Sequence, residues 1–61
     1  MPHTVTDEYL TLTEIAVTLR VPLATVRGWR LAGTGPKGIR VGKHIRVRRA
    51  DFEAWLKTRE D

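Results

Sequence analysis

Thr11-Leu12-Thr13-Glu14-Ile15-Ala16-Val17-Thr18-Leu19-Arg20-Val21-Pro22-Leu23-Ala24-Thr25-Val26-Arg27-Gly28-Trp29-Arg30-Leu31 reads as two short helices with a sharp break between them. Thr11 and Glu14 stand at capping-box spacing, in which a threonine hydroxyl and a glutamate carboxylate each accept the other residue's free backbone N–H. Ile15, Ala16 and Leu19 follow as a short apolar stripe, so a first helix is expected over residues 12–20. Glu14 near its start and Arg20 near its end both complement the helix dipole. Val21-Pro22 then interrupts the pattern, because proline disfavours helix in the residue before it and suits the first turn of a new one. A second helix is expected over residues 23–31, with Val26 and Trp29 directed to the core.

Gly33-Thr34-Gly35-Pro36-Lys37-Gly38 cannot continue that helix, being rich in glycine and proline. Beyond it, Ile39-Arg40-Val41 and Ile45-Arg46-Val47 alternate around Gly42-Lys43-His44, the pattern of a β-hairpin. A two-residue Gly42-Lys43 loop would set Arg40 opposite Ile45 and mix the faces. A three-residue loop pairs Val41 with Ile45, Arg40 with Arg46 and Ile39 with Val47, and is therefore expected. It leaves one apolar face and one basic face carrying Arg40, Arg46 and Arg48. A last helix is expected from near Ala50-Asp51, with Phe52, Trp55 and Leu56 on one stripe. Residues 1–9 lack periodicity and read as a flexible tail, residues 10–58 as one domain, and residues 59–61 as a second tail. The expected fold class is small α+β, in the order helix, helix, hairpin, helix.

Sixty-one residues make one domain with a thin core, burying only about 60% of the surface its unfolded chain exposes. The net charge of +4 hides a strong segregation. From Arg20 to Arg49 there are nine Lys or Arg residues and no acid, whereas Asp7, Glu8, Glu14, Asp51, Glu53, Glu60 and Asp61 all lie outside that window. A segregated basic stretch makes a continuous positive field, best matched by a polyanion, of which nucleic acid is the commonest. There is no cysteine, so disulfides and thiolate–zinc sites are excluded. The N-terminus has neither a basic region nor an apolar run and is not a secretory signal. No stretch approaches the ~20 apolar residues of a membrane span, so a soluble, cytoplasmic protein with no membrane partner is expected.

Catalytic and cofactor chemistry find little support. Residues 33–38 match G-x-G-x-x-G, but that fingerprint has meaning only between a strand and a helix of a βαβ unit, and Pro36 removes a backbone donor. His3 and His44 are far apart in sequence and have no acidic neighbours in the basic window, so no metal site is expected. The chain has no serine nucleophile. No catalytic residue, cofactor, metal or small-molecule substrate is expected. Trp29 and Trp55 lie on the apolar stripes of their helices, which assigns them to the core rather than to base stacking.

The second helix carries the sharper signal. With Val26 and Trp29 inward, its opposite side presents Ala24 and Gly28, flanked by Thr25, Arg27, Arg30 and Leu31. Gly28 costs roughly 1 kcal/mol against alanine inside a helix. Ala24 and Gly28, one turn apart, would let the helix backbone approach another surface closely; the alternative is that Gly28 only accommodates a neighbouring element. Arg27 and Arg30 can each reach a guanine edge or a phosphate, and Thr25 a phosphate or a thymine methyl. Arg20, Lys37, Arg40, Lys43, Arg46 and Arg48 are the candidate backbone contacts, the hairpin following a phosphate chain or entering a minor groove.

Leu10-Thr11-Leu12-Thr13-Glu14-Ile15-Ala16 with Val21-Pro22-Leu23-Ala24-Thr25-Val26-Arg27-Gly28-Trp29 resembles the opening of the MerR-like small winged-helix domains. Ile39 to Val47 and Asp51-Phe52-Glu53-Ala54-Trp55-Leu56 are similar to the wing and closing helix of the excisionase branch. The resemblance implies a winged helix-turn-helix whose second helix enters the major groove, with Thr25, Arg27 and Arg30 on that helix and Lys43 and Arg46 on the wing. Pro22-Leu23 departs from relatives that place a capping serine there. The implied function is non-enzymatic: an excisionase that binds and bends double-stranded DNA, associates with itself on adjacent sites, and directs an integrase toward excision. Two other readings stand beside it, a small MerR-like transcriptional regulator and a basic module of an RNA–protein assembly.

Overall fold

The computed structural model describes residues 9–59, and the expected tails, Tyr9 and Arg59 apart, lie outside the described residues. Helix α1 spans Leu12–Leu19. Thr11 Oγ1 accepts the Glu14 N–H at 2.9 Å, and Glu14 Oε1 accepts the Thr11 N–H at 2.8 Å, so the capping box forms as read. Arg20 ends the helix in the left-handed conformation, φ 58°. The N–H groups of Arg20 and Val21 then turn back onto the carbonyls of Val17 and Ala16, at 3.2 and 3.0 Å, a Schellman closure that stops the helix before Pro22. Helix α2, Leu23–Ala32, ends the same way: Gly33 is left-handed at φ 74°, and the Gly33 and Thr34 N–H groups return to Arg30 and Trp29.

Strands β1 (Tyr9–Leu10), β2 (Gly38–Val41) and β3 (His44–Arg48) form one antiparallel sheet in the order β1-β3-β2. β1 is an addition to the expected order. Two residues are too few for an alternating pattern, so Tyr9, read as tail, instead pairs with Arg48, and Leu10 with Val47. Helix α3, Arg49–Thr58, follows β3 without a loop.

The hairpin register differs from expectation. Arg40 lies opposite Ile45, Ile39 opposite Arg46, Gly38 opposite Val47 and Val41 opposite His44, so the loop is the two residues Gly42-Lys43. Gly42 is left-handed at φ 61° and is the first of the two loop residues, as a type II′ turn requires. The apolar alternation did not govern pairing because β2 is an edge strand: Ile39 and Val41 are exposed. What presses on its inner side is Arg30, since a methyl group added at Gly38 would lie 3.1 Å from Arg30 Nη1 and 3.3 Å from Ile45 Cγ2. A larger residue there would require Arg30 and Ile45 to give way by a few tenths of an ångström.

The core is Leu10, Ile15, Ala16, Val26, Val47 and Phe52, one or two residues from almost every element. Trp29 and Trp55 pack half-buried against it, their ring centroids 5.1 Å apart, as their stripes imply. Three helices and a three-stranded antiparallel sheet, with a hairpin projecting beside α2, make this a winged helix-turn-helix.

Candidate nucleic-acid interface

Among the described residues, one side of α2 is packed against no other element. Ala24, Arg27, Gly28 and Leu31 follow at i, i+3, i+4 and i+7, and all four are exposed, whereas Val26 is buried and Trp29 half-buried on the other side. Thr25 is half-buried at the margin of the exposed stripe. Leu31, at 90% exposure, is the most exposed large apolar side chain described. A methyl group added at Gly28 meets nothing within 4 Å, so no described part of the chain requires a glycine there. That removes packing by a neighbour as the reason for Gly28.

A groove runs between this helix and the wing. Thr11, Leu12 and Thr13 at the start of α1, Leu23 and Arg27 of α2, and Lys43, His44, Ile45 and Arg46 of the wing line it. It therefore collects Arg27, Lys43 and Arg46, three cations 16 and 19 positions apart along the chain, around one opening. Arg46 is steadied there, its Nη1 donating to its neighbour's carbonyl, Ile45 O, at 2.9 Å. With no acid among the lining residues, the groove is an anion-attracting concavity. Thr13 and His44 also border it. Sequence reading missed both, because Thr13 falls inside a capping motif and His44 inside a turn.

The other expected contact residues divide. Directly opposed residues of an antiparallel sheet share a face, and faces alternate along each strand. Arg40 accordingly shares the inner face with Gly38, Ile45 and Val47, while Arg46 and Arg48 share the outer face with Tyr9, Ile39 and Val41. The expected single basic face of Arg40, Arg46 and Arg48 is thus corrected: the one-residue change of register moves Arg40 to the other side. Lys37 and Arg48 meet beside Ile39 and Asp51 in a separate shallow cleft. Arg30, expected beside Arg27, reaches under β2 to Gly38. Arg20 is exposed at the bend between α1 and α2. Among the described residues no side chain caps the start of α2, where Pro22 stands; the Thr25 N–H turns back onto the Pro22 carbonyl at 3.0 Å.

The chain belongs to the Helix-turn-helix domain family, which it matches over residues 9–60. This family includes excisionase-like DNA-binding proteins and is typically non-enzymatic, and membership assigns the chain sequence-specific binding of double-stranded DNA. A comparison with curated proteins finds no match. Among the described residues, no helix is long and apolar enough to cross a membrane, and no group of three His, Cys, Asp or Glu side chains could hold a metal.

Proposed function

We propose that the exposed stripe of α2 enters the major groove of duplex DNA while the wing lies along the adjacent backbone. The observation that carries this reading is the meeting of Arg27 with Lys43 and Arg46 around one acid-free groove beside a glycine that no neighbour requires. Arg27 is the base-reading candidate, since it projects from the middle of the stripe; Lys43 and Arg46 are the phosphate contacts. Ala24 and Gly28 let the helix sit deep, and Leu31 offers apolar contact for a thymine methyl. Thr25 stands at the margin of that stripe, while Arg30 and Arg40, on the inner side of β2, join Arg20, Lys37 and Arg48 as outlying cations.

On the excisionase resemblance of residues 10–16, 21–29 and 39–47, we further propose an architectural role in site-specific recombination. In it the protein associates with itself on adjacent sites, bends the DNA, and works with an integrase in the bacterial cytoplasm. Selection of duplexes from a random pool, followed by footprinting, tests this. Short direct repeats phased near one helical turn are expected. A lone or palindromic site would replace recombination by transcriptional control, and preferential binding of structured RNA would sink the duplex reading itself.

Two substitution experiments separate the roles. Arg27→Ala is expected to weaken binding to the selected site by about 1–3 kcal/mol and to relax preference at one base pair, while Lys43→Ala weakens all sequences alike. Equal losses on every sequence for both variants would remove Arg27 from base reading. Gly28→Ala is expected to raise unfolding stability by about 0.5–1 kcal/mol, since alanine is the better helix former and has open space. The same change should reduce DNA affinity. A thermal melt and a titration on one sample check the opposite signs, and an unchanged affinity would mean the helix never approaches closely at Gly28.

A further inference from the structure

The loop between α2 and β2 is tied down at Thr34. Its N–H donates to the Trp29 carbonyl at 2.9 Å, which closes α2. Its own carbonyl accepts two donors from the far end of α3: Trp55 Nε1 at 2.8 Å and Arg59 Nη2 at 2.6 Å. The Arg59 guanidinium also lies 5.3 Å from the centre of the Trp55 ring, so the two donors are held together. Gly35 follows in equally close contact, because a methyl group there would lie 3.0 Å from Trp29 Cβ. Neither Trp55 nor Arg59 lines the groove of Arg27, Lys43 and Arg46.

We propose that Trp55 and Arg59 are positioning residues for DNA binding: they clamp the Thr34 carbonyl and so hold the wing, with Lys43 and Arg46, across the groove from Arg27. The inference rests on the DNA-binding reading above. Thr34 stands four residues before β2, and three of the six residues from Gly33 to Gly38 are glycines, whose backbones range freely unless anchored. One donor is charged, which makes its bond to a carbonyl the stronger kind, and the other is a rigid indole. Released, the wing would spread over positions from which its cations miss the phosphates.

Trp55→Phe keeps an aromatic ring and removes the donor; Arg59→Ala removes the other donor at an exposed site; Arg59→Lys keeps a charged donor. For the double variant Trp55→Phe/Arg59→Ala, for Arg59→Ala alone and for Arg59→Lys, folding by circular dichroism should persist. Affinity for the selected duplex should fall about tenfold in the double variant, and the slope of log affinity against log salt should become shallower by about two units, the share of two phosphates. Arg59→Lys should retain the parent slope. In a Lys43→Ala/Arg46→Ala background, releasing the clamp should cost no further affinity. An unchanged slope in Arg59→Ala, or full additivity with the wing substitutions, overturns the clamp. If the unsubstituted protein itself fails to bind duplex DNA, the DNA reading falls first and separately.

Discussion

Raising salt from about 50 to about 200 mM is expected to lower the affinity of this protein for duplex DNA about a thousandfold. The expectation follows from charge, not from sequence recognition. The window from Arg20 to Arg49 is +9, with Arg27, Lys43 and Arg46 gathered around the groove, Lys37 and Arg48 in a second cleft and Arg20 at the helix–helix bend. If roughly six of them neutralise phosphates, six sets of condensed counterions return to solution on binding, and log affinity falls against log salt with a slope near −5. Isothermal titrations at four or five salt concentrations read the slope directly. A slope shallower than about −2 would mean that one or two cations at most meet phosphate, leaving most of the basic window without a ligand. Arg27 contributes differently from the others: its removal should change the intercept on the preferred sequence more than the slope.

That slope also measures how the basic residues are shared out, which is the part of the site that sequence conveyed least well. Arg27, Lys43 and Arg46 were legible as partners because each follows from a local rule: a helix face for Arg27, and a turn and an alternating strand for the other two. Arg40 was not. Its side of the sheet depends on register, and the observed register goes with the left-handed Gly42 of a two-residue loop and with a glycine, Gly38, over Arg30, not with the apolar alternation. Alternation fixes register where one face of a strand is buried; in an edge strand with Ile39 and Val41 exposed it carries little free energy. β1 was invisible for another reason. A two-residue strand exists only because β3 already offers it a partner, so nothing within Tyr9-Leu10 announces it. The two helices were legible almost to the residue, since capping box, proline and the glycine-rich stop after α2 are local devices.

Ile15→Ala is expected to unfold the free protein at physiological temperature and to leave a protein that duplex DNA refolds. Ile15 is fully buried, 0% exposed, in a core that counts six buried side chains among the described residues. A large-to-small change at such a site costs about 2–5 kcal/mol, because it removes apolar burial and leaves a cavity. A domain of this length has a total stability of only about 3–9 kcal/mol. The loss is therefore comparable to the whole. Ligand that binds only the folded state restores about 4 kcal/mol when present at a thousand times its dissociation constant. Far-UV circular dichroism should accordingly show helix lost in the free variant and regained as the selected duplex is added. The same titration at about 200 mM salt should regain far less, because the thousandfold loss of affinity takes the restoring term with it. A variant that melts like the parent would mean that Ile15 is not a core residue. One that unfolds and stays unfolded under saturating duplex, while the parent binds, would mean that DNA does not select the fold built by α1, α2 and the wing. The two outcomes separate a misplaced core from a misplaced interface, because Ile15 is itself no part of the groove lining, although its N–H bonds the carbonyl of Thr11, which is.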